Sequence, residues 1–270
     1  MKLQIASASG NVFGYFWAEE VPSSFDGKRW ARVLCPRGVA LGLDGLFLLQ
    51  RPEAGTWSME HWDTDGAHTF CSNGSRVAMG LLNLPMDSRV RAMSSGTAIE
   101  LHQQADGVAI RMPEGEGFGL FPLPLHLDAS AAFGFIGNPQ LVIEVPSVAG
   151  VDLRRMAPPL RFDPAFPEGT NVNVVEILAP GEARIRSWER GVEDETMCCG
   201  TGSAVAGAWL ASRTGVEKWL FHTAGPDAVT VEVRIGDDGR WTDLWLSGRV
   251  RRLGELTLGP DLLRGLSEAR

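Results

Sequence analysis

Two stretches of the chain carry one pattern at one spacing. CSNGSRVA at 71–78 and CGTGSAVA at 199–206 share Cys, Gly, Ser, Val and Ala, with 128 residues between equivalent positions. The echo extends upstream: Gly10-Asn11 ends 60 residues before Cys71, and Gly137-Asn138 ends 61 residues before Cys199. It extends downstream as well, where Val77, Ala78, Leu81 and Leu82 recur as Val205, Ala206, Trp209 and Leu210, an i, i+1, i+4, i+5 stripe suited to one buried helix face. A chain built this way folds as two related halves, each with one cysteine just before a helix. One thiol per half points to paired chemistry rather than packing.

The 270 residues are long for one core, and two halves of this size each match a common domain. Strand-like runs dominate: LQIAS, GLFLLQ, TAIELHQQ and GVAIRMP in the first half, then LVIEVPS, NVNVVEILA, ARIRSWE, AVTVEVRI and DLWLSGRV in the second. Most alternate apolar with polar residues, as half-buried strands do. Helical patterning is confined to the segments after Cys71 and Cys199 and to PDLLRGLSEAR at the C-terminus. The expected class is therefore α+β, two pseudo-symmetric domains, each a mixed or antiparallel sheet wrapped around one central helix. The Gly- and Pro-rich stretch PEGEGFGLFPLPL at 113–125 breaks both periodicities and serves as the expected join. This places one half at 1–117, the other at 118–256, and a C-terminal tail at 257–270.

Charge excludes several function classes. With 33 acidic and 25 basic side chains the net charge is −8, which offers no electrostatic footprint for nucleic acid or an anionic membrane. No segment approaches the roughly 20 apolar residues of a membrane span, and the N-terminus does not read as a secretory signal, so a cytoplasmic location is expected. The four cysteines, at 35, 71, 198 and 199, form no C-x-x-C pair and have no histidine at zinc-ligand spacing, so neither a metal nor a disulfide framework is expected.

The chemistry follows from Cys71 and Cys199. Glycines after each cysteine let the backbone close around a ligand, so that N–H groups at a helix start can point at an anion. A thiol in the same field is expected to have a pKa below the usual value of about 8.5 and to act as a base near neutral pH. Two such thiols facing one carbon suit racemisation or epimerisation: a thiolate removes the α-proton and a thiol delivers one to the opposite face, with no cofactor. Helix N-termini on the substrate carboxylate would stabilise the charge that develops as the proton leaves. Cys35 and Cys198 lack these surroundings and are read as small buried hydrophobes. CGTGS lacks the Lys-Ser/Thr of a P-loop, and SASGNVFG is too weak for a dinucleotide fingerprint.

With these segments in view, the chain resembles the diaminopimelate epimerases, cofactor-independent enzymes that interconvert LL- and meso-diaminopimelate. The resemblance is carried by SGNVF near the start, LCPRGVALGLDGLFLL at 34–49, DTDGAHTFCSNGSR at 63–76, GNPQLV at 137–142, FPEGTNVNVVEI at 166–177 and, most specifically, ERGVEDETMCCGTGSAVA at 189–206. It implies two similar α/β domains with the active site in the cleft between them. It makes Cys71 and Cys199 the acid/base thiols and the backbone amides of Ser72, Asn73, Gly200 and Thr201 the cradle of the reacting carboxylate. Asn11, Asn138 and Asn171 fall where the family places asparagines on the substrate. Glu189 and Arg190 fall where it holds the distal ammonium and carboxylate. The implied partner is a small amino-acid substrate, and a homodimer is the assembly that the family allows.

Three positions depart from the family pattern. Ser72 stands where a glycine follows the first cysteine, Gln140 where many members have a histidine near the thiols, and Asp63 where an asparagine contacts the distal end of the substrate. These departures keep open a racemase of another amino acid, for example histidine, on the same scaffold. A binding protein without catalysis would not need both thiols, and an isomerase of the phenazine-biosynthesis type, with a carboxylate base, is disfavoured by the two cysteines. His61, His68, His126 and His222 have no motif support and are expected at the surface or as satisfied structural residues.

Overall fold

The computed structural model describes residues 1–53, 56–114, 119–124, 130–236 and 240–268. The first half opens with β1 (Lys2–Ala8), β2 (Asn11–Trp17), α1 (Gly27–Leu34), β3 (Gly45–Glu53), β4 (Thr56–Trp62), α2 (Ser72–Gly80), β5 (Arg89–Ser94), β6 (Thr97–Gln104) and β7 (Gly107–Arg111). The second follows with β8 (Gly119–Phe121), β9 (Ala131–Phe135), β10 (Pro139–Glu144), α3 (Leu153–Arg161), β11 (Asn171–Ala179), β12 (Glu182–Glu189), β13 (Asp194–Thr196) and α4 (Gly200–Thr214). The chain ends with β14 (Lys218–His222), β15 (Val229–Ile235), β16 (Trp241–Gly248), β17 (Val250–Thr257) and α5 (Pro260–Glu268).

The repeat seen around the cysteines is a repeat of topology. β1 and β2 form an antiparallel hairpin, β2 and β3 are parallel with α1 between them, β3 and β4 are antiparallel, and β4 and β5 are parallel with α2 between them. The same sequence of pairings recurs: β9 and β10 antiparallel, β10 and β11 parallel around α3, β11 and β12 antiparallel, β12 and β14 parallel around α4. The class is the expected one, α+β with mixed sheets and few helices.

The chain forms two compact units, Met1–Val108 with Val250–Arg270, and Ala109–Arg249. The expected join at residue 118 lies outside the described residues. Residues 250–256, counted in the second half from sequence position, lie in the first unit, because β17 pairs antiparallel with β1 from Lys2↔Thr257 to Ala8↔Val250. DLWLSGRV, which reads as one run, is accordingly divided at Arg249 between β16 and β17.

The sequence reading expects one buried stripe on each central helix, but the structure buries more. Ser72–Met79 of α2 and Gly200–Ala211 of α4 are buried all round. Small residues make this feasible: an added Cβ on Gly74 would lie 2.2 Å from the Phe47 ring, and one on Gly202 would lie 2.2 Å from Asn173 Oδ1. The stripes differ at their ends, since α2 stops at Gly80, leaving Leu82 half-buried, whereas α4 continues to Thr214 and ends on Gly215 with φ +73°.

Two helices escape the strand-dominated reading. α1 starts at the N-cap Asp26, whose carboxylate accepts from Arg29 N, and buries Gly27, Trp30, Ala31 and Leu34, an i, i+3, i+4, i+7 face. That signal is present in the sequence. α3 has a similar N-cap in Asp152 but contains Pro158 and Pro159, which read as helix breakers; burial of Leu153 and Ala157 in the core of the second unit holds the turns that propensity disfavours. Cys35 lies in the first unit's core with Trp30, Leu34 and Leu46, and burial pushes its thiol up to about 12, fitting the structural reading.

Candidate active site

Each candidate thiol is the N-cap of its central helix. In the first unit Cys71 Sγ accepts from Gly74 N at 3.5 Å, and its carbonyl accepts from Ser75 N at 3.0 Å and Ser75 Oγ at 2.8 Å. In the second, Cys199 Sγ accepts from Gly202 N at 3.4 Å, and its carbonyl from Ser203 N and Ser203 Oγ, both at 2.9 Å. The shared Gly and Ser of the repeat are thus the groups that start each helix on a sulfur. Ser72, Asn73, Gly200 and Thr201 occupy the first two positions of their helices, where backbone N–H groups have no partner inside the helix and the macrodipole favours an anion.

The environments of the sulfurs differ. Cys71 is half-buried, whereas Cys199 is 4% exposed. Burial, with the nearby Glu189 carboxylate, pushes the Cys199 thiol well above its ordinary value, against the opposing pull of Thr201 and the Gly202 amide. The expectation of a lowered thiol pKa at this position is therefore corrected: desolvation outweighs the helix start, and Cys199 rests as a protonated thiol. Its sulfur lies 3.6 Å from Thr201 Oγ1 and 3.8 Å from Gln140 Nε2.

The sequence-predicted asparagines are built into ordered networks. Asn11 Oδ1 accepts from Asn73 Nδ2 at 2.8 Å, and Asn73 Oδ1 accepts from Arg76 Nη2 at 2.8 Å. Asn138 Oδ1 accepts from Gln140 Nε2 at 2.7 Å. Asn171 is buried; its Nδ2 donates to Pro139 O at 3.0 Å and its Oδ1 accepts from Arg190 N at 2.8 Å, so this side chain ties β10 to the turn that carries Arg190.

The distal candidates are more open. Arg190 donates from Nη1 to Glu168 O at 2.8 Å, and Glu189 accepts from Thr196 Oγ1. Asp63 accepts from Thr69 Oγ1 at 2.9 Å and keeps 46% of its side chain exposed. His61 takes the structural alternative rather than the surface one: it is wholly buried, Nδ1 meets Thr69 O at 3.2 Å and Nε2 lies 3.8 Å from Asp63 Oδ1. Burial lowers its pKa, the Asp63 charge opposing, and the ring is held neutral. His68 and His222 are exposed partners of Glu60 and Glu182. His126 lies outside the described residues.

Sequence reasoning missed Asn173, Arg76 and Ser187. Asn173 and Arg76 sit inside quoted motifs, yet only their contacts give them a role: Asn173 Nδ2 donates to Gln140 Oε1 at 2.9 Å and to Leu141 O at 3.1 Å, and Ser187 Oγ donates to Asn173 Oδ1 at 2.7 Å. Among the described residues no group of three His, Cys, Asp or Glu side chains could hold a metal ion, and no helix is long and apolar enough to cross a membrane.

Solved structures share this fold. A PhzF-family phenazine biosynthesis protein of Bacillus anthracis covers 96% of the chain and 99% of its own length with TM-score 0.70 at 14% identity. A hydroxyproline epimerase of Agrobacterium vitis, with trans-4-hydroxy-L-proline bound, covers 96% and 90% with TM-score 0.70 at 15% identity. At such identities the likeness concerns the fold alone. Sequence carries the assignment further. The diaminopimelate epimerase family pattern matches residues 135–246. The diaminopimelate epimerase of Chlorobaculum tepidum is 32% identical over 84% of this chain and 90% of its own, and that of Methanocella arvoryzae is 32% identical over 83% and 88%. The chain belongs to the diaminopimelate epimerase family and is an isomerase of the epimerase/racemase type.

Proposed function

We propose that the enzyme interconverts LL- and meso-diaminopimelate without a cofactor, serving lysine and peptidoglycan synthesis, with Cys71 and Cys199 as its acid and base. The observation that carries this reading is the equivalence of the two sulfurs, each capping a buried helix through the amide three residues on. Cys199, protonated at rest, gives its proton to one face of the α-carbon as Cys71, as thiolate, takes the proton from the other. The carboxylate meanwhile lies against the first amides of α2 and α4, where the partial positive charge of a helix start offsets the developing negative charge. After one turnover the protons are exchanged: Cys71 is the thiol and Cys199 the thiolate. The Cys199 thiolate is then sustained by the Gly202 N–H, the Thr201 hydroxyl and the Gln140 amide, which together offset part of the desolvation.

At the distal end Arg190 reads the second carboxylate, and Glu189 with Asp63 the ammonium, since charge-assisted hydrogen bonds supply strength and geometry together. A racemase of another amino acid is the second reading, favoured by Asp63, an exposed anion that would also suit a different cationic side chain. Incubation in deuterated water with a panel including diaminopimelate, histidine and lysine, read by NMR at the α-carbon, separates the two. Fastest exchange on diaminopimelate is expected; faster exchange on histidine or lysine overturns the first reading for the second. A cytoplasmic, homodimeric enzyme is part of the same proposal, and sedimentation equilibrium of the purified protein tests its assembly.

A further inference from the structure

We infer that Arg76 with Asn73, and Asn173 with Gln140, are positioning residues that turn Asn11 and Asn138 so that each offers its NH2 group, not its carbonyl oxygen, to the bound ligand. The inference rests on the reading that Asn11 and Asn138 face substrate. It concerns how each is set.

An amide side chain is ambiguous by itself, because its oxygen and nitrogen are nearly the same in size and shape. It stops being ambiguous when it touches a group that can only donate or only accept. Arg76 is such a group in the first unit: a guanidinium has no acceptor, so the atom of Asn73 at 2.8 Å from Nη2 must be oxygen. The other end of Asn73 is then the NH2, and the atom of Asn11 at 2.8 Å from it must be oxygen. Asn11 is left with its NH2 turned away from the network.

The second unit reaches the same end by different chemistry. The carbonyl of Leu141 can only accept, so the atom of Asn173 at 3.1 Å from it is nitrogen. That nitrogen also meets Gln140 at 2.9 Å, which makes the facing Gln140 atom oxygen and its other end the NH2. The Gln140 NH2 lies 2.7 Å from Asn138, whose contacting atom is therefore oxygen. Again the NH2 is turned away. Asn11 and Asn138 are the asparagines of the duplicated Gly-Asn pairs, half-buried, and neither Nδ2 makes a hydrogen bond among the described residues. The chains that aim them, Arg76–Asn73 and Asn173–Gln140, are buried.

The chemical consequence is a selection of polarity. Each asparagine presents a donor, so the ligand atom it meets must be an acceptor, such as a carboxylate oxygen; an ammonium at either would face an NH2 group. Glutamine at position 140 suits the task because it accepts from Asn173 and donates to Asn138 at once, and does so at any pH.

Two variants and one measurement without substrate test the inference. Asn73→Asp still accepts from Arg76 but presents a second oxygen to Asn11, which reverses the Asn11 amide. Gln140→Met removes the donor that holds Asn138. Each is expected to raise KM about tenfold, measured on whichever amino acid the wild-type enzyme deuterates, because a lost charge-assisted hydrogen bond weakens binding on this scale; kcat should change less than about threefold in Asn73→Asp, whereas Gln140→Met, which also takes an amide from beside the Cys199 sulfur, should lower kcat as well. In Asn11→Ala and Asn138→Ala backgrounds, respectively, the same changes should add little further to KM, since the group they aim is gone. Additive effects would show action by another route and overturn the inference. Independently, side-chain amide exchange in the free wild-type protein should show the NH2 protons of Asn73 and Gln140 protected and those of Asn11 and Asn138 exchanging freely. The reverse order overturns the inference even if a variant fails to fold. A wild-type protein that deuterates no amino acid overturns the functional reading alone, and the exchange measurement still decides the relays.

Discussion

Cys71 and Cys199 occupy the same place in two equivalent helices: each is the N-cap residue, with its sulfur 3.5 Å and 3.4 Å from the amide three residues on, yet one is half-buried and the other is 4% exposed. Local geometry is shared, while solvation is not. Cys71→Ala and Cys199→Ala are each expected to slow epimerisation at least about 10²-fold, the scale for a positioned acid or base. Cys35→Ala and Cys198→Ala should retain most activity. Steady-state rates of the four variants check this, and a fully active Cys71→Ala enzyme would rule out a two-thiol mechanism.

Glu189 raises the Cys199 pKa by charge repulsion, second to burial. Glu189→Gln should therefore lower that pKa, because a thiolate beside a neutral amide is less disfavoured. The measurement is the pH dependence of Cys199 alkylation by iodoacetamide, read by peptide mass spectrometry. A midpoint unmoved or raised in the variant would contradict this electrostatic account.

His61 is held neutral in the fold with its pKa below 6.5. The unfolded chain takes up a proton as pH falls through about 6.5 and the folded chain does not, so stability is lost from there down to the folded-state value. Wild-type Tm should fall more steeply between about pH 7.5 and 5.5 than that of His61→Gln, which has no such proton to bind. Equal slopes would mean that His61 titrates alike in both states.

Gly202 leaves room for Asn173. A methyl group there would sit 2.2 Å from Asn173 Oδ1, in a helix buried on all sides. Gly202→Ala is expected to destabilise the protein by about 1–3 kcal/mol through overpacking and to disturb the Asn173–Gln140 contact. Urea unfolding gives the first quantity. If the variant is as stable as wild type, the packing is looser than this contact implies.

Much of this molecule was legible in the linear chain. Alternation of apolar residues marked β6, β11, β12 and β15, apolar runs marked β1 and β3, and the cysteine repeat announced two related halves, because side-chain period and fixed spacing are local properties. α1 was legible too, in Asp26 followed by the Trp30, Ala31 and Leu34 spacing, but the surrounding strand signals masked it. α3 was not, because Pro158 and Pro159 argue against a helix that only packing sustains.

The sequence by itself determined the chemistry available: two thiols at equivalent helix starts, the amides beside them, and the residues that place the chain in its family. Tertiary structure decided the state of that chemistry. Burial raises Cys199 where the helix start alone would lower it and hides His61, and backbone pairing carries β17 across to β1. It also joins Arg76 to Asn11 and Asn173 to Asn138 through intervening amides. Desolvation and hydrogen-bond polarity depend on which distant residues come together, and no local pattern encodes those meetings.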